Sequence, residues 1–535
     1  MSFFITFLPL AVSLTVLALF NVAFKIRNAL HKIGPNRGFW TIIGSDSGFS
    51  DMMGDIPYIS PGREWSLMKL KHSPYSKVAR DIITWVKHMF SPKIPATALI
   101  FPPPQVQIYP TTRSYYIVAD PYAIKEIVSN RAVFPKNTPN YQLLNHFGTN
   151  LLTTEGEEWK RQRKLASPAF SEKNKQLVWD ETIHVIQDMF DNWGPENKEI
   201  SVDHCLDITI PLCKTGFGRR ISWSDDKNIP SGHHISFQTA LRIVANSIIY
   251  VFVFPRWVLL LTKKFRNAYS AKDEFVAYIK EMIERRRANL EEERYDILNA
   301  LLKMNEESIK EGRLREDELL GNNFILLLAG HETTAHTMCF TLGLLAIEQE
   351  EQEVLFQHII AVLGDKHIPL ILSRSQNYEE FNKLTYVMAV INESLRLFPP
   401  VITLPKVAAE DTAIPIALPD GRLEPVFIPK GMEIYLNTSG LHYNPRYWDD
   451  PNTFNPSRFR KDYNKDAFIP FSAGARGCIG RGFAETELIA AITMIIRNYR
   501  VELKNPELYA GMNKLQQREK LLANRAGLTV TCVSI

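Results

Sequence analysis

The stretch Phe471-Ser472-Ala473-Gly474-Ala475-Arg476-Gly477-Cys478-Ile479-Gly480 holds one cysteine, framed by glycines on both sides and with an arginine two residues before it. Phe483 to Arg497 just beyond reads as a mostly apolar helix. The thiol therefore belongs on a tight loop at a helix N-terminus, where the dipole and free N–H groups favour a thiolate. Gly474, Gly477 and Gly480 keep side chains away, so a large flat ligand could approach the backbone closely. A lone cysteine is more often a small buried hydrophobe. That reading leaves the glycines, the arginine and the helix start without a reason.

Two further clusters carry polar residues where packing alone would not ask for them. The run Phe324 to Thr334 is apolar until Ala329-Gly330-His331-Glu332-Thr333-Thr334. Gly weakens a helix by about 1 kcal/mol, and buried polar groups need partners. Unfavourable local choices at a buried position point to function; the plain alternative is a core helix whose Thr bonds back to its own turn. Trp159 and Arg163 lie four apart on one face of a charge-dense helix that also carries Lys160, Arg161 and Lys164. A solvated basic face with one Trp anchor would look the same.

The elements that must position these residues are mainly helical. Glu316 to Ile347 is the longest helical pattern, with Asp317 and Glu318 suited to its first turn and no proline inside. A helix so apolar must be central to the core. Glu157 to Leu165 is a short charged helix. Asp120-Pro121 opens a capped helix that ends near Asn130, and Arg131 to Asn150 has loop chemistry. Tyr378 to Phe398 reads as a helix closed by Pro399-Pro400, with Glu393 and Arg396 spaced to pair on its surface. Short β-like runs cover Gln105–Tyr109, Ser114–Ala119 and Gly527–Val533, and Leu418-Pro419-Asp420-Gly421 is a turn between two more. Pro429 to Arg458 is turn-rich and irregular.

Nothing in the 535 residues repeats, and no Gly/Ser-rich or charge-rich linker divides the body, so one large unit fits as well as two. Net charge is +4, which neither favours nor excludes nucleic acid. The five cysteines are odd in number and far apart, without a CxxC pair, which points to a reducing compartment. Met1 to Phe24 carries no charged side chain and as a helix would span roughly 36 Å, enough to cross a bilayer. Lys25, Arg27, Lys32 and Arg37 follow at once, so the body stays cytosolic by the positive-inside rule. A cleaved signal peptide would want a basic start and a small-residue cleavage site, and neither is clear. The expected organisation is an anchor over 1–24, a hinge and linker over 25–60 with a stiff Gly34-Pro35 joint, and a body over 61–535.

Taken together these residues resemble the cytochrome P450 family of haem-thiolate monooxygenases, of the microsomal type. The match is F-x-x-G-x-R-x-C-x-G at Phe471 to Gly480, A-G-x-[DE]-T at Ala329 to Thr333, E-x-x-R at Glu393–Arg396 with P-x-R-F at Pro456 to Phe459, and W-x-x-x-R at Trp159–Arg163. The motifs occur in family order, and the resemblance covers nearly the whole chain, from membrane anchor to final strand. The resemblance implies a mainly α fold with small β-sheets, preceded by one N-terminal transmembrane helix. It implies haem b with Cys478 as the proximal thiolate ligand of iron. Phe471 would pack beside the ligand loop and Gly480 would open the helix behind it. Trp159, Arg163 and Arg476 would donate to the haem propionates. Lys406 stands where the family commonly has another arginine; it could neutralise a propionate, without the bidentate fork. Thr333 resembles the oxygen-side hydroxyl and Glu332 the acid that relays protons to dioxygen. Glu393, Arg396 and Arg458 resemble a buried charge network that is structural.

The family's substrate-contacting segments correspond to Asn137–Phe147, Phe324–Ala329 and Val401–Thr403, mostly apolar here, which suggests a lipophilic terpenoid, steroid or fatty-acid-like substrate. No flavin-binding region is present, so the resemblance implies electrons from NADPH through a membrane-bound cytochrome P450 reductase, with cytochrome b5 as a possible second donor, and no nucleic-acid partner. Lys160, Arg161 and Lys164 could dock the acidic face of such a reductase. The place implied is the endoplasmic reticulum membrane, with the catalytic body in the cytosol. Two other readings compete: a haem-thiolate isomerase or dehydratase acting on a peroxide, against which Thr333 argues, and a non-catalytic haem-binding membrane protein, in which Glu332-Thr333 would serve no purpose. Cys478 as a hydrolytic nucleophile lacks an accompanying base.

Overall fold

The computed structural model describes residues 38–40, 105–108, 114–193, 199–202, 229–253, 262–288, 296–308, 312–364, 382–418, 420–522 and 530–534. The expected anchor, the Gly34-Pro35 joint and both expected domain boundaries lie outside them. Among the described residues no helix is long and apolar enough to cross a membrane.

In chain order the strands and helices are β1 (Gly38–Trp40), β2 (Gln105–Ile108), β3 (Ser114–Val118), α1 (Pro121–Ser129), α2 (Gly156–Ala166), α3 (Glu172–Trp193), β4 (Glu199–Val202), α4 (Phe237–Val253), α5 (Lys263–Arg287) and α6 (Ile297–Glu307). There follow α7 (Glu316–Ile347), α8 (Gln349–Leu363), α9 (Thr385–Leu397), β5 (Thr403–Val407), β6 (Thr412–Ala417), β7 (Leu423–Ile428), β8 (Glu433–Asn437), α10 (Thr438–His442), α11 (Arg481–Asn498), β9 (Tyr499–Leu503), α12 (Lys514–Leu522) and β10 (Val530–Ser534). The mainly helical expectation holds.

These elements fall into two compact units. The first takes in the chain to Asn140, Val401–Pro451 and Asn464–Arg476. It holds a five-stranded sheet in the order β1-β2-β3-β8-β5, in which β3 and β8 run parallel, and the β6–β7 hairpin. Helix α1 starts as its sequence predicts: Asp120 Oδ1 accepts the N–H groups of Tyr122 and Ala123, both at 3.0 Å, with Pro121 first in the helix. Pro429 to Arg458 is more regular than expected, because it contains β8 and α10. Strand β8 is paired on both sides and holds Ile434, Leu436 and Asn437 buried. A five-residue strand flanked by turns gives too short an alternation to read.

The second unit, Tyr141–Pro400, Asn452–Tyr463 and Gly477–Ile535, holds the long helices and a three-stranded antiparallel sheet in the order β4-β10-β9. Helix α7 has the predicted limits, 32 residues from Glu316 to Ile347, and buried residues on all its sides. Helix α9 begins at Thr385 rather than Tyr378, with Leu384 as its N-cap, and stops at Leu397 before the prolines. The segment read as loop from Arg131 is wound into 3-10 turns over Thr138–Phe147. There Phe147 is buried against Phe324 of α7, ring centroids 4.1 Å apart, and also meets Phe275 of α5. Single turns stabilised by such contacts leave no helical period in the sequence.

Candidate active site around Cys478 and the central helix

The loop before Cys478 is shaped by one glycine that no other residue could replace. Gly474 has φ +66°, and a Cβ on it would stand 2.3 Å from the carbonyl oxygen of Val128 in α1. Three residues later the chain enters the second unit, and Gly480 caps α11 as expected. Arg163, on α2, donates from Nη1 to the Gly477 carbonyl at 3.0 Å, so that helix is tied to the ligand loop. Trp159, one turn earlier, is buried. Burial lowers the Arg163 guanidinium pKa, an effect that the nearby Cys478 opposes.

The electrostatics of Cys478 differ from the expected thiolate. The residue is open to solvent, yet neighbouring atoms crowd it enough that desolvation pushes the thiol up. The N–H groups of Gly480 and Arg481 and the charges of Arg163 and Arg481 pull the other way and do not prevail. A bound metal ion would reverse that balance, since a coordinating thiol is deprotonated by the ion itself.

The sequence places the polar run of α7 in the interior, but the run is not uniformly buried. Ala329, Gly330 and His336 are exposed and Glu332 and Thr333 half-buried, in a helix that is otherwise largely enclosed. A Cβ on Gly330 would meet nothing within 4 Å. Thr333 Oγ1 donates to the Ala329 carbonyl at 2.8 Å, and Thr337 repeats the bond to Thr333. Thus Thr333 does bond back to its own turn. Burial pushes the Glu332 carboxyl up, against the opposing charge of His336. An apolar helix opened along one polar stripe and a soft sulfur donor on a glycine-shaped loop fit a flat iron–porphyrin.

The remaining expected residues divide between the units. Phe471 and Arg476 are half-buried in the first unit. Lys406, also there, is buried on β5, and its ammonium donates to the Phe134 carbonyl at 3.3 Å. Glu393 and Arg396 pair as predicted, but inside the protein, both fully buried. Arg396 binds the carboxylate through Nε and Nη2, each at 2.8 Å; Arg458 Nε reaches it at 3.2 Å and the Asn455 N–H at 2.9 Å. Of the three basic residues on α2 read as a docking face, Lys164 is exposed and has no acidic partner among the described residues, whereas Lys160 pairs with Glu157 at 2.5 Å and Arg161 turns inward to Glu318. Of the expected substrate segments, Phe324, Ile325, Leu327, Leu328 and Phe147 are core, whereas Leu326 is half-buried and Val401 and Ile402 exposed.

Residues 101–521 match the family model for cytochrome P450. The chain belongs to the cytochrome P450 family. It is 40% identical over 534 residues to cytochrome P450 monooxygenase 124 of Postia placenta, covering 98% of this chain and 97% of that protein. It is 29% identical to cytochrome P450 monooxygenase prx9 of Penicillium rubens over 71% of this chain and 72% of that one. Human cytochrome P450 4Z1 is 26% identical over 72% of this chain and 76% of its own length. As a cytochrome P450 it is an oxygen-incorporating oxidoreductase that carries haem on a cysteine thiolate.

Proposed function

We propose that this cytochrome P450 is a membrane-anchored monooxygenase that inserts one oxygen atom from O2 into a lipophilic terpenoid, steroid or fatty-acid-like molecule. Electrons come from NADPH through a flavoprotein reductase, with cytochrome b5 as a second donor. The anchor over 1–24, joined by 25–60 to a body over 61–535, holds the enzyme at the endoplasmic reticulum membrane. The observation that carries the reading is the open stretch at Ala329, Gly330, Glu332, Thr333 and His336 in the middle of a helix that is largely enclosed on either side of it.

Cys478 holds the iron, and the bound haem supplies oxygen activation, which the thiolate promotes. Trp159, Arg163 and Arg476 donate to the haem carboxylates. Arg163 does so while bonded to the Gly477 carbonyl, so the same side chain braces the ligand loop. Phe471 packs beside that loop, and Gly480 lets α11 begin directly behind it. Lys406, whose ammonium donates to the Phe134 carbonyl, adds positive charge. Gly330 leaves room for dioxygen. Thr333 spends its proton on Ala329, so its lone pairs remain to orient a water. Glu332, whose carboxyl burial pushes up, is the acid that passes a proton to that water.

The test is spectroscopic. Reduced protein with carbon monoxide should show the red-shifted Soret band of thiolate-bound haem, and Cys478→Ala should abolish it. An ordinary histidine-type band in the unaltered protein would refute the assignment. With a turned-over substrate, Thr333→Ala should keep NADPH consumption but divert most of it to peroxide.

A further inference from the structure

Helices α2 and α7, which carry the two sets of motif residues, meet at a buried ionic cluster that neither motif includes. Glu318, in the first turn of α7, is fully buried. Its carboxylate accepts from two adjacent residues of α2: Arg161 through Nη2, and Gln162 through Nε2 at 3.3 Å. It also accepts the Arg315 backbone N–H at 2.8 Å and lies 3.2 Å from Arg315 Nη1. Gln162 is in turn held by Asn322, one turn along α7, whose Nδ2 donates to Gln162 Oε1 at 3.0 Å. Asn322 Oδ1 accepts the Leu151 N–H at 2.9 Å, and Arg161 Nη1 donates to the Arg313 carbonyl at 2.7 Å.

The backbones beneath this cluster touch more closely than side chains would permit. A Cβ on Gly148 would stand 1.9 Å from the Asp317 carbonyl oxygen, and one on Gly321 2.5 Å from the Gly148 carbonyl oxygen. Burial would push the Glu318 carboxyl up, but the bonds and charges from Arg161 and Arg315 hold it below its usual range.

As a source of stability a buried ion pair is a poor choice, since desolvation cancels most of its attraction. Its strength is geometric. Residues 161 and 162 leave a helix about 100° apart, so two bonds to one carboxylate fix the rotation of α2 as well as its distance. Trp159 and Arg163 flank that pair on the same helix. We propose that Glu318, acting through Arg161 and Gln162, is a positioning residue that sets the rotation of α2 and hence the reach of Trp159 and Arg163 toward the haem carboxylates. The proposal rests on reading those two residues as carboxylate donors.

Haem transfer from the purified full-length holoprotein to excess apomyoglobin separates the two claims. Glu318→Gln keeps the shape and removes the charge, and should speed transfer by about tenfold, the scale of a lost outer-shell partner. Adding Arg163→Ala to it should give little further acceleration. Leu302→Ala, a core truncation in α6, reports the effect of instability alone, with melting temperatures recorded beside the rates. If Leu302→Ala speeds transfer as much as Glu318→Gln at equal loss of melting temperature, the role is merely structural and the proposal fails. If Arg163→Ala alone leaves transfer unchanged, the carboxylate reading fails. If Arg163→Ala speeds transfer and Glu318→Gln does not, only the positioning claim fails. Should Glu318→Gln not accumulate as holoprotein, Arg161→Lys keeps the charge without the fork; its transfer should be faster in the same direction, and an unchanged rate would overturn the proposal.

Discussion

A single side chain in α11 shows how far burial can move an ionisable group here. Glu487 lies nine residues after Cys478, buried, and its Oε1 meets no hydrogen-bond donor among the described residues. Burial alone raises its carboxyl to about 8. The unfolded chain releases this proton near the ordinary Glu value of about 4.3. Between those two values the unfolded state binds fewer protons than the folded one, so stability is fullest below about 4.3 and falls as pH rises toward about 8. Glu487→Gln removes that slope. Thermal melts of the holoprotein should show the variant gaining several degrees over the parent at mildly alkaline pH, and almost nothing near pH 4. An equal gain at both would show that the amide acts by packing and not by titration. Cys478 shows the same effect: a helix start and nearby arginines favour a thiolate, but crowding, which is a property of the fold and not of the spacing, outweighs them.

At the level of elements, α9 and the turn that follows residue 451 are joined through one carboxylate. Glu393 receives two bonds from Arg396, one from Arg458 and one from the Asn455 N–H. Glu393→Ala would leave the fully buried Arg396 and the half-buried Arg458 without their counter-charge, which costs about 3–5 kcal/mol. Denaturant unfolding should show that loss, or the variant should fail to accumulate; a change well under 1 kcal/mol would mean that the arginines find water. The pairing was legible in the three-residue spacing, but its burial was not, since a helix surface and a helix core allow the same i,i+3 contact. Helix α7 was legible to its ends because 32 residues without proline leave a long signal. The 3-10 turns of Thr138–Phe147 and strand β8 were not, because their stability comes from Phe324 and from strands distant in sequence.

At the scale of the molecule, the proposed anchor makes a claim about where the protein is found. Expressed full-length chain should stay with the membrane pellet after washes in high salt and alkaline carbonate, which strip proteins held by charge. Removal of residues 1–24 should move much of it to the supernatant. Full release of the intact chain by salt would reduce the N-terminus to a peripheral contact. The sequence by itself determined the family chemistry: Cys478 with its glycines, Glu332-Thr333 on an apolar helix, Trp159–Arg163 and Glu393–Arg396 are local patterns whose spacing carries their meaning. Only the tertiary structure decided which of these residues are open and which are committed. It turned Arg161 from a supposed surface charge into the partner of Glu318 and gave the Lys406 ammonium to Phe134. It also opened the Ala329–Gly330 face of a helix that hydropathy reads as wholly enclosed. The reason is physical: a residue's partners across a helix interface are set by packing between segments far apart in the chain, and no local pattern of residues encodes them.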